Sequence, residues 1–161
     1  DGGAGRLPIL AEQKGEAEVA GVTLHGRVDR IDRLADGKLA IVDYKTGKAP
    51  AKKAVTEGFA LQLALLSLIA RDHGFGGVTG EAGAHEYWSL AKDKGQFGYR
   101  RAADKDDGPE AFVERAYAQF ALAASEYLLG SKEFEAKLNP AYAPYDDYDQ
   151  LMRLEEWYGR E

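Results

Sequence analysis

The chain contains no cysteine, which excludes thiolate metal sites, iron–sulfur clusters and cysteine nucleophiles from this segment. The absence of disulfides is compatible with a reducing compartment, and we expect a cytoplasmic protein. No run of about 18 apolar residues occurs, so the sequence predicts no membrane-spanning helix. The first residues, Asp1-Gly2-Gly3-Ala4-Gly5, lack an initiator methionine and the pattern of a signal peptide. We therefore expect a piece of a longer chain.

The composition is that of a soluble globular domain, with 161 residues, 45% hydrophobic and 30% charged. The net charge of −6 argues against binding nucleic acid through a bulk positive field alone. The charge is unevenly distributed: residues 26–57 carry eight Lys/Arg against five Asp/Glu, and residues 146–161 carry two against six. An anionic partner is therefore expected to meet the first third of the chain.

No internal repeat divides the chain, so we predict a flexible N-terminal segment over 1–9 and a single domain over 10–161. Apolar alternation predicts a strand from Val22, with a bulge or bend at Asp29-Arg30 where the alternation slips. Asp36-Gly37 is typical of a hairpin turn, and Lys38–Lys45 forms the return strand. Residues from about Ala54 to His73 are apolar nearly all round, which predicts one buried helix.

The second half of the chain also predicts a pair of strands followed by a helix. Residues 82–90 and 95–101 predict another hairpin. Pro109 suits the first turn of a helix that Gly130 ends. The tail is predicted as a loop followed by a short helix near residues 148–158. Strands and helices in this order predict an α/β or α+β fold with a central mixed sheet flanked by helices.

Two charged side chains, Asp43 and Lys45, share one face of the otherwise apolar return strand. A carboxylate there can bind a hard divalent cation, and the ammonium can orient a water or offset charge on a phosphate. A solvent-facing ion pair at a strand end is the simpler alternative. The hairpin pairs positions whose numbers sum to about 72 or 73, so Asp29 falls opposite Asp43 or Tyr44 and the two carboxylates can share a metal. In the alternative interpretation, nearby arginines neutralise Asp29 and Asp32.

Gln62 is the polar exception in the leucine-rich helix, where a buried amide must find hydrogen-bond partners. It can hydrogen-bond a catalytic group or a nucleic-acid backbone. Capping of a neighbouring loop is equally compatible with the sequence.

The segments Gly26-Arg27-Val28-Asp29-Arg30-Ile31-Asp32 and Ile41-Val42-Asp43-Tyr44-Lys45-Thr46-Gly47, followed by a helix with Gln62, resemble the PD-(D/E)XK nuclease superfamily in its RecB-like branch. The chain is most similar to the C-terminal nuclease domains of AddB-type subunits, and the tail Tyr148 to Trp157 resembles alphaproteobacterial members. The resemblance extends from about Leu10 onward. It implies a restriction-endonuclease-like core.

The resemblance also implies site roles. Asp29, Asp43 and the main-chain carbonyl of Tyr44 would bind Mg²⁺, with Mn²⁺ as a substitute, and Lys45 would position the attacking water. Gln62 matches a Gln-x-x-x-Tyr motif whose Tyr position is Leu66 here. Glu12 falls where many relatives carry an acidic residue and is a further candidate metal ligand. His25, His73 and His85 come too late in the chain to match the family's metal-binding histidine. The iron–sulfur cluster of some AddB proteins has no ligands in this segment.

The implied function is a Mg²⁺-dependent DNA exonuclease domain in a helicase-nuclease that processes double-strand breaks for recombinational repair, with DNA and an AddA-type subunit as partners. No phosphate-binding loop of the P-loop type occurs, so ATP use would belong elsewhere in the assembly. The alternative is a catalytically degraded nuclease fold that binds DNA or docks a subunit. A CRISPR-associated or phage-type nuclease of the same superfamily is a third interpretation. We expect the chain on its own to fold but to cleave DNA weakly.

Overall fold

The computed structural model describes residues 5–58, 60–93 and 95–133 of the chain. The short helix predicted near 148–158, like the rest of the predicted tail, lies outside the described residues. Within them, no helix has the length and apolarity needed to cross a membrane.

In the described part of the chain, five strands form one mixed sheet in chain order, which confirms the predicted fold class. The strands are β1 (Leu7–Val19), β2 (Val22–Arg33), β3 (Leu39–Lys45), β4 (Ala82–Asp93) and β5 (Gln96–Ala102). Neighbouring strands are antiparallel except β3 and β4, which are parallel and joined by a helical crossover.

The β2–β3 hairpin has the predicted turn and register. Gly37 adopts a φ of 84°, and the amide of Leu34 donates to the carbonyl of Lys38. The paired residues, from Arg33 opposite Leu39 to Arg30 opposite Val42, all sum to 72. The turn chemistry therefore determined which residues of the two strands face each other.

Strand β1 was not predicted, and it begins at Leu7, so residues 7–9 belong to the sheet. A two-residue turn joins it to β2, with positive φ angles at Ala20 and Gly21. The register of β1 with β2 shifts between Pro8 and Leu10. The pairing of β2 with β3 begins at Arg30, so Asp29, where the bend was predicted, lies just outside that ladder.

The single helix predicted from about Ala54 to His73 is instead two helices, α1 (Lys52–Thr56) and α2 (Gln62–Arg71). Gly58, with a φ of 82°, lies between them and explains the break. Helix α3 (Pro109–Ala123) begins at the predicted proline and continues as a π-helical turn over Ala124–Leu128.

The core lies between the sheet and the helices α2 and α3. Its members are buried aliphatic and aromatic side chains, including Val28, Ile31, Ile41, Leu63, Ile69, Tyr87 and Phe112. Helix α2 approaches β2 so closely at Gly26 that an added Cβ would lie 2.7 Å from Leu66 and 2.9 Å from Ile69. This close packing of α2 holds the β2–β3 hairpin in place beneath it.

Candidate metal and phosphodiester site

Asp43 and Lys45 share one face at the carboxyl end of β3, as predicted, and this face is on the helix side of the sheet. Lys45 Nζ is 2.8 Å from Asp43 Oδ2, and Asp43 is only 4% exposed. Residues 39–43 are buried, so the backbone beneath the pair is fixed by the core. The pair is therefore more enclosed than the simple solvent-facing ion pair considered above.

The carboxylate of Asp43 retains unused bonding capacity. Its Oδ2 atom is buried and lies 2.8 Å from Lys45 Nζ in an ion pair, and no other donor among the described residues bonds to it. Carboxylate oxygens are the ligands that Mg²⁺ prefers, so this atom fits a divalent cation.

Asp29 is the second carboxylate and lies on the neighbouring strand β2. The amide of Tyr44 donates a 2.8 Å hydrogen bond to Asp29 Oδ2, which directs the carboxylate toward the residue between Asp43 and Lys45. The arginines proposed to neutralise it have other partners: Arg27 pairs with Glu12, and Arg30 pairs with Asp32. Asp29 is thus held by a neutral backbone donor.

Asp32, in contrast, is neutralised as the alternative interpretation predicted. Its carboxylate is fully buried and accepts hydrogen bonds from Arg6 and Arg30. Burial opposes ionisation, but the hydrogen bonds from Arg30 and Arg6 outweigh it and lower the pKa of Asp32. Asp32 therefore contributes to structure near the turn of the β2–β3 hairpin, where it pairs with Ala40.

Glu12 lies on β1, level with Asp29, because Ala11 pairs with Arg30 and Gln13 with Val28. It has a φ of 51° and its side chain is exposed, with Oε2 3.0 Å from Arg27. Among the residues described, no group of three His, Asp or Glu side chains is arranged to hold a metal ion. The metal-ligand role of Glu12 stays a prediction.

The predicted burial of Gln62 is wrong. Gln62 is the first residue of α2 and is exposed, whereas Leu63 and Leu66 of the same helix are buried. The helix begins eight residues later than predicted, and its rotation directs the amide toward solvent. Any contact of Gln62 with substrate would be made from the surface.

Tyr87 on β4 is a site neighbour that the sequence did not reveal. The parallel register places it beside Asp43, and its ring centroid is 5.9 Å from Lys45 Nζ. Burial, helped by the negative charge of Asp43, raises the pKa of Tyr87 to about 12. Its phenol is therefore protonated at neutral pH and supplies an uncharged wall to the site.

Strands β4 and β5 also fix the loop that follows Lys45. Ser89 donates to the carbonyl of Gly47 at 2.7 Å, the amide of Ala49 donates to the Tyr99 hydroxyl at 2.9 Å, and Arg101 donates to the carbonyl of Pro50 at 3.0 Å. The hydrogen bond from Ala49 also lowers the pKa of Tyr99. These three contacts hold the loop against the sheet.

The opposite face of the sheet carries an arginine–aromatic cluster around Trp88. Tyr44 meets Trp88 edge to face at 5.8 Å, and the guanidinium groups of Arg100, Arg30 and Arg6 lie 4.3, 4.8 and 5.3 Å from the Trp88 ring centroid. Alternation along β3 therefore separates an anionic and lysine-bearing face from an arginine-rich one.

A buried hydrogen-bond network around His85 was also missed. His85 Nδ1 is 2.9 Å from Asp104, and Nε2 is 2.7 Å from the hydroxyl of Ser67. The same Asp104 oxygen accepts the amide of His85 at 3.0 Å. Both ring nitrogens are engaged, so this histidine links β4, α2 and the segment before α3 structurally.

Comparisons with known proteins identify the family of the chain. Residues 4–147 match the family model of the PD-(D/E)XK nuclease superfamily. An uncharacterised protein of Rickettsia felis is 38% identical over 71 residues, which are 42% of this chain and 8% of that protein. A subunit of the ATP-dependent helicase/deoxyribonuclease of Streptococcus mutans is 50% identical over 48 residues, which are 27% of this chain and 4% of that protein.

The chain thus spans less than a tenth of the length of these relatives. The family match, by contrast, covers most of the chain and includes both carboxylates and the lysine of the site. The chain belongs to the PD-(D/E)XK nuclease superfamily.

Proposed function

We propose that the chain is a Mg²⁺-dependent deoxyribonuclease domain that uses Asp29, Asp43 and Lys45 to hydrolyse DNA phosphodiesters. The observation that carries the proposal is the buried Asp43 carboxylate, which pairs with Lys45 Nζ at 2.8 Å and lies beside Asp29, whose carboxylate accepts the Tyr44 amide. Family membership supports the reaction class. The identity with part of a helicase/deoxyribonuclease subunit supports DNA as the substrate.

The residues divide the chemistry between them. Asp43 and Asp29 would bind the cation together with the carbonyl of Tyr44. In an extended strand the carbonyl and the amide of one residue point to the same side, so the Tyr44 carbonyl points the same way as the amide that contacts Asp29. A bound cation supplies positive charge against the developing negative charge on the phosphate oxygens. The Lys45 ammonium is positioned to orient a water or to contact the same oxygens. Tyr87 encloses the pair without adding charge.

The biological setting is part of the proposal. We infer a helicase-nuclease assembly that processes double-strand breaks, with an AddA-type subunit as partner, in the cytoplasm. The partial match to the Streptococcus mutans protein supports this setting. A net charge of −6 suits a domain that receives DNA from other parts of a complex.

A second candidate is a nuclease fold that has lost catalysis and binds DNA or a subunit. The absence of a three-ligand metal cluster in the described part of the chain favours it. Leu66 is buried at the position where the family motif has tyrosine, which also favours this candidate.

Cleavage of linear DNA with Mg²⁺ or Mn²⁺ tests the proposal, using the complete assembly with the partner's own nuclease inactivated. We expect Asp43→Asn and Lys45→Ala each to lower the rate by about 10²-fold or more, because each removes a group that contacts the reacting phosphate or its cation. ATP-driven unwinding should be nearly unchanged. Asp72→Asn and Lys14→Ala, at exposed positions, are the matched controls. Undiminished cleavage by both site variants would favour the second candidate.

A further inference from the structure

A cleft of about 500 Å³ opens on the helix side of the sheet beside Tyr87. One wall is the segment from Pro50 to Val55, and the other runs along β5 and the turn after it, from Arg101 to Asp106. We name it the Tyr87 cleft. Its volume is within the range of small-molecule sites.

The sheet register links this cleft to the candidate site. Asp43 pairs with Tyr87, and Tyr87 pairs with Arg101, so the three side chains form a row across β3, β4 and β5. Strands are spaced about 4.8 Å apart, which puts Arg101 roughly 10 Å from Asp43. A DNA strand that places a phosphate at Asp43 and follows this row would reach the cleft.

The cleft is positively charged in a chain of net negative charge. Three cations, Lys52, Arg101 and Lys105, line it against one acid, Asp106, which pairs with Lys52 at 3.0 Å. Arg101 uses one nitrogen on the carbonyls of Ala49 and Pro50 and has further N–H donors. Lys105 is exposed at the rim. These cations suit a phosphate.

The floor of the cleft is apolar and rigid. Its accessible apolar lining is Pro50, Ala51, Ala102 and Ala103, and the buried side chains of Tyr87 and Val55 support this lining from behind. The Pro50 segment is fixed to β5 by Arg101 and Tyr99, so the cleft does not need to form when a ligand arrives. A flat apolar surface below a cationic rim fits the sugar and base of a nucleotide whose phosphate meets the rim.

From these observations we propose that the Tyr87 cleft holds the nucleotide adjacent to the phosphodiester being cleaved, with its phosphate on Lys105 and Arg101. The proposal rests on the proposed function and adds a substrate subsite to it. The cleft determines which part of a strand lies over Asp43.

The test measures binding without cleavage, in an Asp43→Asn background of the full chain. Thymidine 5′-monophosphate and a short oligothymidine are titrated while backbone amide NMR shifts are followed. We expect shifts at Val55, Ala102 and Lys105. Lys105→Glu should weaken oligothymidine binding by about tenfold and reduce the salt slope by about 0.7, the value for one lost phosphate contact on a single strand. Lys14→Glu, an exposed lysine on β1, has the same charge change and should leave both unchanged.

The outcomes separate the subsite from the proposed function. Nucleotide shifts in the cleft, without DNA cleavage by the wild-type protein, would support the subsite and contradict the function. The subsite alone would be overturned if the wild-type protein cleaves DNA but the nucleotide shifts amides outside the cleft, and if Lys105→Glu and Lys14→Glu bind oligothymidine equally well. The subsite would also be overturned if inorganic phosphate binds with the same affinity and shifts the same amides as the nucleotide, because no sugar or base would then be recognised.

Discussion

The backbone amide of Tyr44 donates a 2.8 Å hydrogen bond to Asp29 across the β2–β3 hairpin. This contact ties one candidate metal ligand to the residue that separates the other ligand, Asp43, from Lys45. The site is therefore assembled by the hairpin register, and its parts are held by backbone geometry as well as by side-chain packing.

We predict that Asp29→Asn preserves the fold but impairs metal binding. The asparagine oxygen can still accept the Tyr44 amide, so the free energy of unfolding should change by less than about 1 kcal/mol. The affinity for Mn²⁺ should fall at least about tenfold because one of few charged ligands is lost. Calorimetry and chemical denaturation measure the two effects.

Asp36→Asn is the control for this variant, since Asp36 also accepts a backbone amide, from Lys38, in an exposed turn. It removes the same charge away from the site. An equal loss of Mn²⁺ affinity in both variants would mean that general charge, and not ligation by Asp29, attracts the ion.

The β2–β3 hairpin shows which features of the site were predictable from the sequence. Turn chemistry at Gly37 is local, so the pairing of β2 with β3 and the shared face of Asp43 and Lys45 were predictable. The neighbour relation of Asp43 and Tyr87 depends on parallel pairing between strands separated by two helices, which no local pattern encodes. The exposure of Gln62 depends on where α2 begins, and sequence patterns locate helix ends poorly.

Strand β1 was missed for a related reason. Most of its side chains are exposed, so it lacks the apolar alternation by which strands are recognised. Ala20-Gly21 was the available signal, because a two-residue turn with positive φ angles is typical of a hairpin.

We predict that Tyr87 makes stability depend on pH in the alkaline range. Its pKa is about 12 in the folded protein against an ordinary 10, so the stabilisation is fully present below pH 10 and is lost as the pH rises toward 12. A shift of this size corresponds to about 3 kcal/mol. Tyr87→Phe should flatten the decline in unfolding free energy, and Tyr117→Phe, at an exposed position, should not. Identical pH profiles for the two variants would contradict the prediction.

We predict that Asp32 makes stability depend on pH in the acid range, where stability falls as the pH is lowered. Because its folded pKa lies below the ordinary 3.8, its stabilisation is present above about pH 4 and is lost as the pH falls through the folded value. We expect Asp32→Asn to cost about 1–3 kcal/mol at neutral pH, since Arg6 and Arg30 lose a buried partner. The cost should shrink on acidification. A cost independent of pH, measured by denaturation, would show that packing and not charge is lost.

Gly26→Val should destabilise the protein by about 1–3 kcal/mol, because the new side chain would collide with Leu66 and Ile69 of α2. Gly47→Ala is the control, as no atom beyond its chain neighbours lies within 4 Å of the position that the new Cβ would occupy. Thermal unfolding compares the two. Equal melting temperatures would mean that α2 can move away from β2 without loss.

Metal binding should be weak, and cleavage slow, for the chain on its own. We expect weak Mn²⁺ binding, because two carboxylates and one carbonyl leave most of the coordination shell to water, and no three-ligand cluster occurs among the described residues. Cleavage should be slow as well, since a net charge of −6 repels the DNA backbone. Raising the Mn²⁺ concentration should therefore increase the rate, and Asp43→Asn should abolish this response. Calorimetric titration and a nuclease assay on linear DNA measure these effects together. Tight binding with rapid cleavage at ordinary salt would require ligands beyond Asp29, Asp43 and Tyr44, and Glu12→Gln would then be the first variant to examine.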